Sequence, residues 1–337
     1  IYLEYFIIEP GRLWDSMAAV LEDKAAQGLD IRVMYDDLGS ISTFNMDNVR
    51  QLRSKGIKCV PFNPLIAVKG TVNYRDHRKM LIVDGETAYS GGVNLADRYA
   101  NIEQPYGHWK DTGIRLEGDA VKSLTVMFLE MWNAIKKTDT DYTAYFPEIT
   151  YTAKQTGYVQ PYADNPLDDE HTGENVYMNI LNSAQEYAYF ITPYLLISDE
   201  MKKAFTLAAR RGVDVRIITP GIPDKKFVYQ ATRSYYNRLV KKGVRIFEYT
   251  PGFCHAKQCV SDDKAAVVGT INLDYRSLYH HFENAAAFYH KDAVAGVKAD
   301  FDHLFEECHE VTEQYRSHRS TALRIGQCIL RLFAPLL

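Results

Sequence analysis

The sequence reads HRKMLIVD at residues 77–84 and HAKQCVSD at residues 255–262. Six residues after each stretch it reads GGVN at 91–94 and GTIN at 269–272, so both follow the pattern H-x-K-x4-D-x6-G-x-x-N. A single H-x-K-x4-D match is weak evidence for any function. Two complete copies indicate an internal duplication whose halves build related sites.

The segments around the motifs repeat as well. YFIIEP at 5–10 corresponds to YFITP at 189–193, and GLDIRVM at 28–34 corresponds to GVDVRII at 212–218. We expect a helix between the paired segments of each half, because the glycine before the second segment suits the position after a helix end. Alternating strands and helices predict an α/β fold with a mixed, largely parallel sheet flanked by helices in each half, the halves being related by pseudo-twofold symmetry.

This organisation predicts two tandem domains with the active site at their interface. We expect a first domain at 1–136, a linker at 137–166, a second domain at 167–312 and a helical tail at 313–337. The linker is placed in a polar stretch rich in tyrosine, threonine and proline. Because residue 1 opens directly into an apolar, strand-like run, we expect the first domain to lack an N-terminal part.

The residue types of the motif suit a phosphodiester. The two copies supply two imidazoles, two ammonium groups and two amides: His77, His255, Lys79, Lys257, Asn94 and Asn272. Side chains two apart on a strand face the same side, so each histidine should lie beside its lysine. One histidine would attack phosphorus and the other protonate the leaving oxygen, while lysines and amides hold the non-bridging oxygens. No metal or other cofactor is expected, because no cluster of carboxylates is present to hold one.

Four further motif positions enter the predicted site. We expect Gly92 and Thr270, which follow the next strand, to line the phosphate site with the two asparagines, since glycine permits close backbone approach. Asp84 and Asp262 are included in the catalytic set. The alternative is that each aspartate only forms the turn that ends its strand.

The motif is the signature of the phospholipase D superfamily, and the surrounding text resembles bacterial cardiolipin synthases. The resemblance rests on residues 76–85, 91–97, 107–113, 251–257, 269–277 and 331–337. It implies transfer of a phosphatidyl group from one phosphatidylglycerol to another, giving cardiolipin and glycerol through a phosphohistidine. It further implies that His77 is the nucleophile and His255 the general acid–base.

The resemblance also implies supporting groups and partners. A carboxylate should lie behind each catalytic histidine, and Asp111 and Glu283 occupy comparable places downstream of the motifs. Asp84 and Asp262 would order the site through hydrogen bonds. The implied partners are phosphatidylglycerol, cardiolipin and the surface of a bacterial cell membrane, with the catalytic part facing the cytoplasm. A net charge of -4 argues against nucleic acid as a partner, and the chain has no run of 18 apolar residues that would span a bilayer.

Other interpretations stay open at the level of sequence. A hydrolase of phospholipids or other phosphodiesters would carry the same motifs, and so would an inactive lipid-binding relic. His108 and the pair His280–His281 are expected to be wall residues, and Asp36–Asp37 a minor part of the lining. The segment 323–333 is either an interfacial amphipathic tail or is packed on the catalytic domain.

Overall fold

The structure is a computed structural model, and it describes residues 1–65, 72–139, 141–149, 157–289, 291–317 and 330. The helical tail expected at 313–337, including the amphipathic segment 323–333, therefore lies largely outside the described residues. Of the helices within these ranges, none has the length and apolar character that a membrane crossing requires.

The first half alternates strands and helices in the described ranges. Its strands are β1 Tyr2–Tyr5, β2 Arg32–Asp36, β3 Lys58–Phe62, β4 Arg75–Asp76, β5 Lys79–Val83, β6 Thr87–Gly91, β7 His108–Lys110 and β8 Gly113–Glu117. Its helices are α1 Arg12–Ala26, α2 Met46–Ser54 and α3 Ala120–Lys136, with short 3₁₀ turns at Asp97–Ala100 and Thr143–Tyr145. The start of α2 is set by a capping box. The Asn45 side chain accepts backbone N–H groups of the first helical turn, and the Asn48 side chain accepts the backbone N–H of Asn45.

The second half repeats the same plan. Its strands are β9 Val159–Asp164, β10 Tyr187–Ile191, β11 Leu195–Leu196, β12 Asp214–Pro220, β13 Arg245–Tyr249, β14 Gly252–Cys254, β15 Gln258–Ser261, β16 Ala265–Gly269, β17 Leu273–Asp274, β18 His281–Phe288 and β19 Cys308–Glu310. Its helices are α4 Thr172–Ser183, α5 Asp199–Arg210, α6 Lys226–Val240, α7 Tyr275–Tyr279, α8 Lys291–Glu307 and α9 Thr312–Arg316. Ser198 caps α5 by accepting the Met201 N–H.

The two sheets have the same strand order. The first runs β3-β2-β1-β5-β6-β8, and the second contains β13-β12-β10-β15-β16-β18 in the corresponding places. In each of these six-strand runs the first three strands are parallel to one another, and the remaining neighbours within the run are antiparallel. The predicted α/β class and the duplication are confirmed.

Two details of the predicted architecture are wrong. The sheets are mixed but not largely parallel, because short turns join β5 to β6 and β15 to β16, and a short turn permits only antiparallel pairing. The linker expected at 137–166 contains β9, which pairs with β18 along its whole length and so belongs to the second sheet.

The two halves pack together through a shared core and two short strand pairs. One apolar cluster combines Met80 and Ala88 of the first sheet, Phe128 of α3, and Val268 and Ala286 of the second sheet. Strand β4 of the first half pairs with β18, and β7 pairs with β14. These strand pairs hold the two sheets together at the interface between the halves. Both motif histidines lie at this interface, since His77 follows β4 and His255 follows β14.

Candidate active site

His77 follows β4, and β4 is joined to the second half. Its backbone N–H donates to the Phe282 carbonyl at 2.9 Å, which continues the pairing of β4 with β18. The imidazole Nδ1 lies 2.8 Å from Oε1 of Glu283, the next residue along that strand. The histidine of the first motif is therefore oriented by a carboxylate of the second half.

His255 is held in the reciprocal way. It follows β14, which pairs with β7, and its backbone N–H donates to the Lys110 carbonyl at 2.7 Å. Its Nδ1 lies 2.8 Å from Oδ2 of Asp111 in the first half. Asp111 and Glu283 occupy equivalent places, each two residues before the residue that pairs with the glycine closing β6 or β16. Each half therefore supplies the carboxylate that contacts the motif histidine of the other half.

The carboxylate of Glu283 is buried among hydroxyl groups. Thr270 and Ser277 donate their hydroxyls to its two oxygens, one each. Burial raises the pKa of Glu283 well above its usual value, although the Lys79 ammonium and the two hydroxyls oppose the shift. Burial also lowers the pKa of His77 well below its usual value. Burial therefore works against a charge on both members of the pair.

The Asp111 carboxylate is surrounded by N–H donors. Trp109 Nε1 donates to Oδ2 at 3.3 Å, and the Thr112 backbone N–H donates to Oδ1 at 2.9 Å. Burial would raise the pKa of Asp111, but the charge and hydrogen bond of His255, the Lys257 ammonium and the Thr112 N–H hold it below its usual value. Asp111 is therefore anionic. Burial lowers the pKa of His255 to about 3, while Asp111 opposes that shift.

Both motif lysines are buried beside the histidines. Each ammonium donates to the main-chain carbonyl of its own motif histidine, Lys79 to His77 and Lys257 to His255. Burial lowers the pKa of Lys79 to about 7 and that of Lys257 to about 8. An ammonium has three donors, so donors remain for an anion in front of the histidines.

The two histidines and two asparagines bound one cavity of about 370 Å³ between the halves, here called the histidine cavity. Its walls include His77, His255, Asn94, Asn272, Tyr99 and Trp109. The Oδ1 atom of Asn94 accepts the Ile7 N–H at 3.0 Å, whereas the buried Oδ1 of Asn272 has no hydrogen-bond partner among the described residues. In those residues, no three His, Cys, Asp or Glu side chains are grouped to hold a metal ion.

The chain is similar to known proteins over most of its length. The family described as cardiolipin synthase, PLD-like domain, matches residues 1–132 and 177–305. The chain belongs to this family. An uncharacterized protein of Streptococcus mutans serotype c is 46% identical over 338 residues, covering 100% of this chain and 73% of that protein. A cardiolipin synthase of Geobacillus sp. strain WCH70 is 34% identical over 340 residues, covering 100% of this chain and 67% of that protein.

A solved structure shares the fold. The phosphatidylserine synthase of Haemophilus influenzae superposes with a TM-score of 0.75 at 15% identity, covering 99% of this chain and 87% of that one. At this identity the likeness shows the fold of the two halves.

In this member of the cardiolipin synthase family, two predicted phosphate-binding positions serve the carboxylates instead. The Gly92 N–H donates to the Thr112 carbonyl at 3.0 Å, and a Cβ at Gly92 would lie 1.9 Å from Oδ1 of Asp111. Gly92 therefore makes room for the carboxylate. Thr270, at the equivalent position, is fully buried, and its hydroxyl is donated to Glu283. Neither residue bounds the histidine cavity, which corrects the prediction for both.

The motif aspartates lie at the far end of their strands, so their assignment to the catalytic set is wrong. Asp84 is separated from Lys79 by the length of β5, roughly 16 Å at ~3.3 Å per residue. The Asp262 carboxylate accepts the backbone N–H groups of residues 185–187 at 2.8–3.0 Å, which anchors the start of β10. Both aspartates have a left-handed backbone, with φ of 56° and 53°. They form turns, as the alternative interpretation held.

The remaining candidates from the sequence are His108, His280–His281 and Asp36–Asp37. His108 is exposed and bonded to the Tyr249 hydroxyl at 2.8 Å, away from the histidine cavity. His281 bounds a neighbouring cavity, whereas His280 does not. Asp36 is fully buried, where it binds the Arg75 guanidinium. Asp36 and Asp37 are absent from the walls of both cavities, so their predicted lining role is wrong.

Several residues that bound the histidine cavity escaped the sequence analysis. They are Phe6, Tyr99, Trp109, Tyr194 and Lys225. Phe6 follows the carboxyl end of β1, Tyr194 that of β10 and Lys225 that of β12, and ligands of α/β sheets bind at such ends. That rule, applied to every strand, would have found these three. Tyr99 and Trp109 carry no such signal.

Proposed function

We propose that this chain is a cardiolipin synthase that transfers a phosphatidyl group from one phosphatidylglycerol to the terminal hydroxyl of a second. The products are cardiolipin and glycerol. The family and its curated relatives support the substrate. The chemistry is carried by one observation, the crosswise pairing of His77 with Glu283 and of His255 with Asp111 around one cavity.

In the first half-reaction, Nε2 of His77 attacks phosphorus and the bond to the glycerol oxygen breaks. The protonated His255 gives its proton to that oxygen, so glycerol leaves as a neutral alcohol. Anionic Asp111 and the bound phosphodiester anion both favour protonated His255, against the effect of burial on its pKa. The product is a phosphatidyl group joined to His77.

In the second half-reaction, His255 accepts the proton of a hydroxyl on another phosphatidylglycerol. That oxygen attacks phosphorus, the bond to His77 breaks, and cardiolipin is released. The free donors of Lys79 and Lys257 and the amides of Asn94 and Asn272 stabilise the charge on the non-bridging oxygens in both steps. Since one phosphodiester replaces another, no nucleotide is consumed.

We propose a membrane surface as the place of reaction, with the catalytic part facing the cytoplasm of a bacterium. Both substrates and the larger product are lipids whose acyl chains remain in a bilayer. Nucleic acid is not proposed as a substrate, because the net charge of -4 opposes binding to a polyanion.

A product assay tests the function. The chain is incubated with phosphatidylglycerol in mixed micelles, and lipids and glycerol are quantified. Cardiolipin and glycerol in equal amounts are expected from the wild type. His77→Ala is expected to form neither product. Phosphatidic acid as the sole lipid product would replace the transferase with a phospholipase D-type hydrolase.

A further inference from the structure

A second cavity adjoins the histidine cavity and shares part of its wall. This side cavity, of about 340 Å³, is bounded by His281, by apolar side chains that include Leu38, Leu196 and Val228, and by the charged side chains of Arg75, Asp274 and Arg276. Both cavities are bounded by Phe6, His77, Tyr194, Lys225 and Asn272. His255 bounds only the histidine cavity. The proposed nucleophile therefore meets both spaces, whereas the proposed acid–base meets one.

This difference assigns the cavities to parts of the substrates. The leaving oxygen must be near His255, which protonates it. The incoming hydroxyl must occupy the same place, because the second half-reaction reverses the geometry of the first. Both alcohols therefore bind in the histidine cavity. The diacylglycerol moiety stays on phosphorus throughout. The side cavity beside His77 has both apolar and charged walls, which suits the glycerol backbone and its ester groups.

The acceptor lipid carries a negative charge that glycerol and water lack. A second phosphatidylglycerol carries a phosphate anion three carbons from its terminal hydroxyl, so its recognition calls for a cation at the edge of the alcohol site. Besides the two histidines, two basic side chains bound the histidine cavity, Arg98 and Lys225. Arg98 is ion-paired with Glu9, which leaves Lys225 as the candidate.

Lys225 lies where a cation could contact the acceptor phosphate. Its side chain is exposed at the junction of the two cavities, with Nζ 5.3 Å from the centre of the Tyr194 ring. Among the described residues no carboxylate forms an ion pair with it, and the adjacent Asp224 accepts the Tyr194 hydroxyl at 2.5 Å instead. Neighbouring Lys226 begins α6 and bounds neither cavity.

We propose that the histidine cavity binds the acceptor headgroup and that Lys225 binds the phosphate of the acceptor lipid, which favours a lipid alcohol over glycerol or water. The assignment rests on the proposed function. It makes Lys225 a residue that determines acceptor specificity.

Competition between acceptors tests the proposal. Wild type, Lys225→Gln, Lys225→Arg and the matched control Lys226→Gln are incubated with phosphatidylglycerol and isotope-labelled glycerol in mixed micelles. Three products are measured together: cardiolipin, phosphatidylglycerol that has exchanged its glycerol for the label, and phosphatidic acid. Thermal unfolding checks that each variant is folded.

For Lys225→Gln we expect the ratio of cardiolipin to exchanged phosphatidylglycerol to fall about tenfold, since a charged hydrogen bond to the acceptor is lost. Lys225→Arg should keep most of the wild-type ratio, and Lys226→Gln all of it. An unchanged ratio in Lys225→Gln, or an equal change in Lys226→Gln, overturns the inference while the proposed function stands. Failure of the wild type to form cardiolipin overturns both.

Discussion

The two histidine centres are built by equivalent strands, but the pKa values of their carboxylates are shifted in opposite directions. Glu283, behind His77, receives hydroxyl donors and is driven towards its neutral form by burial. Asp111, behind His255, receives an indole and a backbone N–H and stays anionic. An uncharged imidazole suits a nucleophile, which needs a free lone pair, and an anionic partner suits a histidine that must carry a proton. The two halves therefore share the geometry of the site but differ in the donors that surround each carboxylate.

The remaining motif positions differ between the halves in the same way. The Asn94 oxygen is bound to a backbone N–H, whereas the Asn272 oxygen is left without a partner among the described residues. Asp262 accepts three backbone N–H groups, whereas Asp84 is exposed and accepts no hydrogen bond within the described ranges. Identical residues at equivalent motif positions therefore differ in their hydrogen bonding between the two halves.

The largest expected effect separates the two carboxylates. Asp111→Asn should lower turnover by roughly 10³–10⁴-fold, because it removes the charge that stabilises protonated His255 and favours the wrong tautomer. Glu283→Gln should lower turnover by only about 10-fold, because burial already works against the charge of Glu283. Steady-state cardiolipin formation at saturating phosphatidylglycerol measures both.

Equal losses in the two variants would contradict the electrostatic difference between the centres. A larger loss in Glu283→Gln would reverse the proposed assignment of nucleophile and acid–base. Circular dichroism of both variants serves as the control for folding.

A smaller effect concerns the two turn aspartates. Asp262→Asn should lower the free energy of unfolding by about 1–2 kcal/mol, because charge-assisted bonds to backbone N–H groups are weakened. Asp84→Asn should change it by less than about 0.5 kcal/mol, and asparagine tolerates the left-handed backbone at both sites. Urea unfolding compares the pair. A large loss of activity per folded molecule in either variant would restore these aspartates to the catalytic set.

The pH dependence of stability sharpens the comparison further. Burial lowers the folded-state pKa of both His77 and His255 below the usual value of about 6.5. A depressed pKa contributes stability above the unfolded value, and that stability is lost as the pH falls towards the folded value. His77→Gln and His255→Gln should each make the loss of unfolding free energy below pH ~6 shallower, by up to about 1.4 kcal/mol per pH unit. A change in only one variant would show that the other histidine is already charged in the empty site.

Much of the site could be predicted from the sequence, because the histidines, lysines and asparagines of the site are positions of the duplicated motif. The pairing of His77 with Glu283, a residue of the other half, was not readable. It depends on β4, a strand of two residues with no alternating pattern to reveal it. The same holds for β7 and β14, which bring Asp111 to His255.

Two further errors have physical causes. The motif spacing suggests that Gly92 and Thr270 bind phosphate. However, Asp111 occupies the space beside Gly92, and Glu283 accepts the Thr270 hydroxyl, and neither carboxylate belongs to the motif. Strand β9 lies in the polar stretch rich in tyrosine, threonine and proline that favours a linker, and it contains Pro161, a residue type that is rare inside strands. Its pairing partner β18 is more than a hundred residues away, so no local pattern marks it.

The most direct test of the account is the location of the covalent intermediate. The substrate is a phosphatidyl-p-nitrophenol labelled at phosphorus, whose leaving group needs no acid, and the variants are His255→Ala and His77→Ala. His255→Ala should release a burst of about one nitrophenolate per chain. After an alkaline quench, its label should map to the peptide that contains His77, while His77→Ala shows neither burst nor label. A burst in His77→Ala with label on His255 would contradict the assignment of the two centres.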